Sequence, residues 1–476
     1  MKKSMQKENL IIFLKNFAMT ITVITIVVIL VFLTQGWTLD PKGSFERNGL
    51  VQFFSSVTGA TVEIGDQKLA EKTNTKTLLS AGTHEFKIWK EGYETWYRKT
   101  QVKEGEILWL NYARLIPKQK RIDSFLDIQN LKTAKVLPNK EKILIAQEDN
   151  KKSIKFSLIN LQNDTPNIKE LGYLNVLQEN NSKENSISNV EIQEISRNNN
   201  RFIFTYNQNG SRHWLIGDVN NPSKFIDISK DFNLNNIAKI EAKNNEASIL
   251  YIQDGQNLKE LNVDSLTLSA NILTDIETFT SRENIIESVQ KKTNSENNTT
   301  YSIHIRRDNK NMLIKDNIPT APTIALGRYY NESYVHVAIK DEIHIYKSSN
   351  WSELMRLYKK IKANQDITSL NINDESRLLA IKTNSSTLMH DLETKETFTL
   401  DNNSPNKPIW IDNFHLANVT NNSLSIVDFD GANKHSLMPS LENMPIVLSG
   451  NDKFLYTLST NSNGNISLLR LRMILE

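Results

Sequence analysis

From Asn16 to Trp37 the chain reads NFAMTITVITIVVILVFLTQGW, a run with no charged side chain, and nothing comparable recurs in the 476 residues. Roughly twenty such residues at 1.5 Å each match the ~30 Å hydrocarbon core of a bilayer, which predicts one transmembrane helix over residues 16–37. Lys15 can snorkel to one interface, and Trp37 marks the opposite headgroup level. Lys2, Lys3, Lys7 and Lys15 precede the span, whereas Asp40, Lys42 and Glu46 follow it with mixed sign. By the positive-inside rule residues 1–15 form a short cytoplasmic tail, and the protein belongs to the cell membrane as a single-pass chain with its bulk extracytoplasmic. The rival reading is a cleaved signal peptide, but that has a shorter apolar core and a small-x-small site, of which Thr34-Gln35-Gly36 is a poor version.

After a linker over residues 38–47 containing Pro41 and Gly43, the period changes to two. Apolar and polar positions alternate over Leu50 to Phe54, Thr61 to Ile64, His84 to Trp89, Trp96 to Val102 and Ile107 to Leu115, as in half-buried strands. Gly65-Asp66, Ala81-Gly82, Glu91-Gly92 and Glu104-Gly105 supply tight-turn chemistry between them. A small antiparallel β-sandwich over residues 48–116 follows. Trp89, Trp96, Tyr97 and Trp109 fall on these strands, where aromatics are core more often than ligand platform.

Several pieces of this segment resemble the PEGA domain. Val57-Thr58-Gly59-Ala60-Thr61-Val62-Glu63-Ile64-Gly65-Asp66 stands where that family has Pro-Glu-Gly-Ala followed by a V-x-I-D-G strand. Its first two signature positions depart, and the Asp-Gly order is inverted. Lys72-Thr73, Leu79-Ser80-Ala81-Gly82-Thr83-His84, Lys90-Glu91-Gly92-Tyr93-Glu94 and Gly105-Glu106 then follow in the family's order and spacing. The resemblance implies a β-sandwich module of prokaryotic envelope proteins, used for binding, with no catalytic residues.

Past a second linker, residues 117–124, which contains the basic run Lys118-Gln119-Lys120-Arg121, a strand-turn-strand unit recurs. Its copies are Phe156 to Leu161, Trp214 to Val219, Leu258 to Val263, Ser302 to Arg307, Ile343 to Lys347, Leu388 to Glu393, Leu424 to Phe429 and Ser467 to Leu471. A spacing of mostly about 37 to 45 residues is that of four-stranded propeller blades. The first gap is longer and holds the polar stretch Gln178 to Asn200. Apolar strands such as Phe202 to Tyr206, Ser248 to Ile252, Val335 to Ile339, Leu378 to Lys382 and Phe454 to Leu458 precede the copies. Asp428-Phe429-Asp430-Gly431-Ala432-Asn433 resembles the D-x-D-G-x-N hairpin of TolB-type propeller repeats, and His390-Asp391-Leu392-Glu393-Thr394-Lys395 the strand end of WD-like repeats. Residues 125–476 are therefore expected to form a β-propeller of about eight blades, or seven if the first copy is a closing element. A solenoid or serial sandwiches yield similar patterns but leave sheet edges exposed that a closed ring shields. The fold class is all-β apart from one N-terminal helix.

Charge and chemistry narrow the function classes. With 57 basic and 54 acidic residues there is no concentrated basic face, so no nucleic-acid partner is expected. The chain has no cysteine, which removes disulfides, thiolate nucleophiles and Cys-based metal sites together. No G-x-S-x-G elbow, phosphate loop, dinucleotide turn or H-E-x-x-H helix occurs. His84, His213, His304, His336, His344, His390, His415 and His435 are scattered, not at metal-ligand spacing. Asp428, Asp430 and Gly431 also look like the start of a calcium loop, but its later carboxylate is missing and a hairpin explains them better. No catalytic residue, cofactor or metal ligand is assigned. Trp214, Trp351, Trp410 and the pair Tyr329-Tyr330 could stack on sugars or peptides, with blade-core packing the simpler account of the tryptophans. Arg328, Tyr329 and Tyr330, placed between predicted strands, are the candidate ligand-binding residues, because loops on rigid scaffolds often carry them.

The expected function is a membrane-anchored extracytoplasmic binding or scaffolding protein, not an enzyme, with an envelope protein or glycan as partner. Two alternatives stay open: a ligand-sensing subunit acting through a membrane partner, since fifteen cytoplasmic residues cannot fold into an effector, and an envelope glycan or peptide hydrolase or lyase whose acid and base come from different blades.

Overall fold

The computed structural model describes residues 2–34, 37–39, 45–149, 153–175, 187–221, 224–243, 245–282, 284–351, 353–400, 409–461 and 463–475. Two compact units emerge, Met1–Gln119 with Leu475–Glu476, and Lys120–Ile474.

The first unit opens with a helix, Lys2–Thr34, whose stretch Phe13–Phe32 is long and apolar enough to cross a membrane and is exposed throughout. Thr20 and Thr22 turn their hydroxyls back onto the carbonyls of Asn16 and Ala18 at 2.9 Å, which satisfies polar groups that hydrocarbon could not. One boundary is corrected. The helix ends at Thr34, because Trp37–Leu39 pairs antiparallel with Phe45–Arg47 and so takes its backbone partners from a strand. Residues from Lys2 onward are already helical, so the expected tail 1–15 is continuous with the span. Gln35-Gly36 and the linker residues Asp40, Pro41, Lys42 and Gly43 lie outside the described residues.

Two sheets then make the sandwich. Gly49–Ser55 is central in one, between Thr75–Leu79 and Ile107–Ala113, while Thr61–Ile64 and Gly82–Trp89 are central in the other, between Gln67–Lys68 and Trp96–Val102. Phe53 meets Phe86 across the layers at 5.5 Å and Trp96 meets Tyr112 edge-on at 5.5 Å. The family-like signature has a structural reason: the Thr73 hydroxyl accepts from the Ala60 amide at 3.0 Å, and Gly59, at φ +74°, donates to the Thr73 carbonyl at 3.0 Å. The expected all-antiparallel sandwich is corrected at one pair, since Gly49–Ser55 and Ile107–Ala113 run parallel. Parallel neighbours need a crossover, and the strands of the second sheet provide it. The linker expected over 117–124 is shorter than predicted. Lys118 still donates to the Gly92 carbonyl at 2.9 Å, and a new strand begins at Ile122.

The second unit is a ring of eight four-stranded antiparallel blades. Each of the eight recurring sequence pieces lies on the third strand of a blade, from Ser153–Asn160 in blade 1 to Ile466–Arg472 in blade 8. The seven-blade alternative fails because the first copy belongs to a complete blade. The ring closes instead through Ile122–Ile128, which pairs with Ile466–Arg472 as the outermost strand of blade 8. Closure also buries Ile143, Ile145 and Ile159 of blade 1 against Val447, Tyr456 and Leu458 of blade 8. Similar apolar clusters fill the seams between blades 1 and 2, 2 and 3, 4 and 5, and 5 and 6. That is why second strands such as Leu378–Thr383 are buried along their whole length and read as continuous apolar runs. Of the polar stretch Gln178 to Asn200, residues 178–186 lie outside the described residues, and Ser188–Ile195 is the first strand of blade 2.

Candidate functional site

First strands of several successive blades lie against one another, as in blades 1 and 2, 3 and 4, 4 and 5, and 5 and 6, and each first strand has a ladder partner on one side only. The other edge carries backbone groups that need partners. In the first three blades charged side chains supply them, each from the last position but one of its own first strand. Lys135, on Leu131–Val136, donates to the carbonyls of Ile192 and Gln193 in blade 2. Glu194, on Ser188–Ile195, accepts from the Ala242 amide of blade 3 at 3.2 and 3.4 Å. Glu241, on Ile237–Ala242, accepts from the Ser281 amide at 2.6 Å and hydroxyl at 2.8 Å in blade 4.

Beside these edge caps lies a cavity of about 500 Å³. Its charged lining is Arg197, Arg212, Lys239, Lys243 and Arg282 against Glu194 and Glu241, an excess of cations. Lys239 is engaged by Glu241 at 2.6 Å and the Phe279 carbonyl at 2.6 Å, and Lys243 by Glu260 at 2.9 Å. The guanidinium of Arg212 lies over the ring of Trp214, 5.1 Å from its centroid, and 3.5 Å from Glu191. Arg197 is exposed and makes no ion pair among the described residues. Burial, with the neighbouring Glu241 carboxylate, pushes the Glu194 carboxyl up to about 7. Burial likewise lowers the Lys135 ammonium. Glu287, on the second strand of blade 4, is wholly buried with neither carboxyl oxygen hydrogen-bonded among the described residues, and burial raises it well above the usual carboxylate range.

The residues expected to bind ligand sit differently from their predicted place between strands. Arg328 and Tyr329 are the last two residues of Thr323–Tyr329, the first strand of blade 5, and only Tyr330 occupies the turn, at φ +51° and 77% exposed. The Tyr329 and Tyr330 rings stand 4.5 Å apart, and burial together with hydrogen bonds to Tyr330 and Glu393 raises the Tyr329 hydroxyl. The misplacement arises because Arg-Tyr-Tyr-Asn reads as polar, while Tyr329 at the strand's end packs toward Arg377 and Glu393 of the next blade. None of these residues lines the cavity.

Trp214 and Trp351 are buried in inter-blade cores, and Trp410 is half-buried. In the small domain Trp96 is core, whereas Tyr97 and Trp109 point outward. Asp428-Phe429-Asp430-Gly431-Ala432-Asn433 forms a hairpin turn: Gly431 adopts φ +89°, its amide donates to the Asp428 carbonyl at 2.9 Å, and Asn433 donates to the Asp428 carboxylate at 2.8 Å. Among the described residues no three His, Asp or Glu side chains are grouped to hold a metal ion. Sequence reasoning missed Glu194, Arg197, Arg212, Lys239 and Glu241: Glu194, Lys239 and Glu241 stand on partly buried first strands, Arg197 follows one and Arg212 opens a third strand, and nothing local sets any of them apart from a solvated charge.

An N-terminal apolar helix, a small β-sandwich and an eight-bladed ring define a propeller-bearing protein with an accessory β module. The accessory module is a PEGA domain, matched by that family's model over residues 50–116. No curated protein matches the chain in sequence. Among solved structures it is similar to PorZ, an essential bacterial surface component of the type-IX secretion system of Porphyromonas gingivalis, at 12% identity over 71% of this chain and 43% of that one, with a TM-score of 0.39. It is similar to dipeptidyl peptidase 4 of the same organism at 10% identity over 71% of this chain and 57% of that one, TM-score 0.46. Hsv2 of Kluyveromyces lactis has 10% identity over 74% of this chain and 98% of its own, TM-score 0.38. The chain spans less than half the length of PorZ. These are likenesses of fold alone.

Proposed function

We propose that this chain is a non-catalytic binding protein of the cell envelope, tethered by its N-terminal helix with both β domains outside, whose propeller takes an anionic envelope polymer, glycan or protein. The observation that carries the reading is the cationic cavity between blades 2, 3 and 4, where Arg197 has no ion-pair partner among the described residues and Arg212 is spread over Trp214. A guanidinium pre-ordered on an aromatic face loses less freedom on binding than a free one, and an excess of cations favours carboxylate, sulfate or phosphate groups. Arg328, Tyr329 and Tyr330, at the end of the first strand of blade 5, serve as a second contact for an extended ligand.

The test is binding of dextran sulfate and polyglutamate, against neutral dextran, to the full chain in detergent. Binding of a polyanion that weakens with salt, and falls about tenfold in the Arg197→Ala, Arg212→Ala double variant, supports the reading; a tenfold loss is ~1.4 kcal/mol, modest for two charged contacts. Equal binding by the variant, or preference for neutral dextran, refutes it.

The hydrolase reading has one observation in its favour: Glu194 and Glu241 are neighbouring carboxyls in the cavity, and Glu194 is pushed up to about 7, where a general acid would be poised. Both carboxyls are already committed to capping strand edges, which favours the structural account. Polymer cleavage by the wild type that Glu194→Gln abolishes would reverse that preference.

A further inference from the structure

We propose that the outward face of the three-stranded sheet in the PEGA domain rests on the lipid surface beside the chain's own anchor. Along Gly49–Ser55, Val51 and Phe53 point into the sandwich, so Leu50, Gln52 and Phe54 point out. Register then builds two outward rungs across the sheet, Leu78–Leu50–Ile107 and Lys76–Gln52–Trp109. Leu78, Ile107, Trp109 and Phe54 are 44%, 49%, 37% and 37% exposed, an apolar face in a position where a solvated sheet would alternate to polar side chains.

The occupant is indicated by what borders this face. Thr34, the last residue of the helix, lines a recess of about 850 Å³ together with Leu50, Leu78 and Ile107. The end of a bilayer-spanning apolar segment lies at headgroup level, so whatever shares a recess with Thr34 lies there too. Leucine, isoleucine and an outward tryptophan beside Arg47 and Lys76 are side chains that the interface accepts, with apolar groups toward the acyl boundary and cations toward phosphate. Glu106 borders the same recess, but Lys103 stands 3.8 Å from its carboxylate. The domain is then held close to the membrane plane by two contacts, the helix and this sheet face. This inference rests on the reading of the helix as a retained anchor.

The absence of native cysteine makes the test direct. Full-length chains carrying Leu78→Cys, Ile107→Cys, Ile24→Cys or Gln67→Cys are labelled with a small fluorophore and placed in phosphatidylcholine nanodiscs containing headgroup-region nitroxide lipid, except that the Ile24→Cys chain, whose label lies near the bilayer centre, is read with nitroxide at the acyl-chain end. Ile24 reports the anchor alone, and Gln67, on the other layer of the sandwich, reports the solvent side. The expected result is strong quenching at 24 and several-fold more quenching at 78 and 107 than at 67. Quenching at 24 with 78 and 107 no better quenched than 67 overturns the proposal while leaving the anchor intact. No quenching at 24 overturns both. Energy transfer between labels at 107 on different copies, without lipid quenching, would make the face a contact between copies and likewise overturn it.

Discussion

Arg377 and Asp391 meet as a fork inside blade 6, with Nε 3.0 Å from Oδ1 and Nη2 2.7 Å from Oδ2. Arg377 leads into the second strand and Asp391 ends the third, so the pair ties two neighbouring strands at one end of the blade. Its guanidinium also reaches Glu393 and lies over the Phe414 ring of blade 7 at 5.5 Å. Removing the carboxylate leaves a buried charge short of partners, so Asp391→Ala should cost about 3–5 kcal/mol and lower the thermal midpoint. The double variant Arg377→Met, Asp391→Leu should recover much of that loss, because neither charge then remains to be desolvated. A double variant no more stable than Asp391→Ala would contradict this account.

His415 engages the corresponding aspartate one blade on. It is opposite Asp428 in register, with Nε2 3.3 Å from Oδ1, and its Nδ1 is 2.8 Å from Asp412. Burial alone would lower this imidazole, but the Asp412 and Asp428 carboxylates outweigh it and raise the group from 6.5 to about 9. A raised folded value stabilises fully below the unfolded one and is lost as pH climbs through about 9. On the order of 3 kcal/mol should therefore disappear between neutral and strongly alkaline pH. Thermal melts of the wild type should show that fall, and those of His415→Gln should be lower at pH 7 and flatter above it.

The ring of Phe202 lies across Gly217, its Cζ 2.3 Å from where a β-carbon on that glycine would stand. Both residues are in register partners of blade 2, and Phe202 also packs with Phe156 of blade 1 at 5.1 Å. Gly217→Ala must push the ring into a filled seam, which typically costs about 1–3 kcal/mol. Adding Phe202→Leu should restore part of the loss, read as a rise in thermal midpoint over the single variant.

The parts of the fold that could be read in the chain are those whose burial is uniform. Second and third strands are buried on both sides by neighbouring blades, so Phe202 to Tyr206 and Trp214 to Val219 stand out as apolar runs at a steady spacing. First strands such as Ile367–Ile372 are only half-buried, and Ile409–Trp410 is two residues long, too little for a period to be counted. The cavity is built largely on charged residues of those first strands, with Arg212 and Trp214 added from a third strand. Nothing local marks Glu194 or Glu241 as different from a solvated glutamate, because their role depends on an amide in the next blade, 48 and 40 residues further along. The closing strand was hidden for a similar reason: Ile122–Ile128 looks like the end of a linker until its partner near the C-terminus is known.

Glu194 couples that cavity to pH. Its carboxyl stands at about 7 in the folded chain against an ordinary value of 4.5, raised by burial and by Glu241. The folded state therefore binds a proton that the unfolded state has released between those values, and stability falls as pH rises from about 4.5 to 7, then levels. Glu194→Gln keeps an acceptor for the Ala242 amide and should remove this slope, leaving the variant more stable than wild type at pH 8 by ~1–2 kcal/mol and little changed at pH 5. The same proton sets the charge beside Arg197 and Arg212. Polyanion binding should be tighter at pH 6 than at pH 8 in the wild type, and Glu194→Gln should bind at pH 8 about as the wild type does at pH 6. Titrations of dextran sulfate at both pH values, at fixed ionic strength, read this directly. A pH dependence unchanged in the variant would assign the proton to another group.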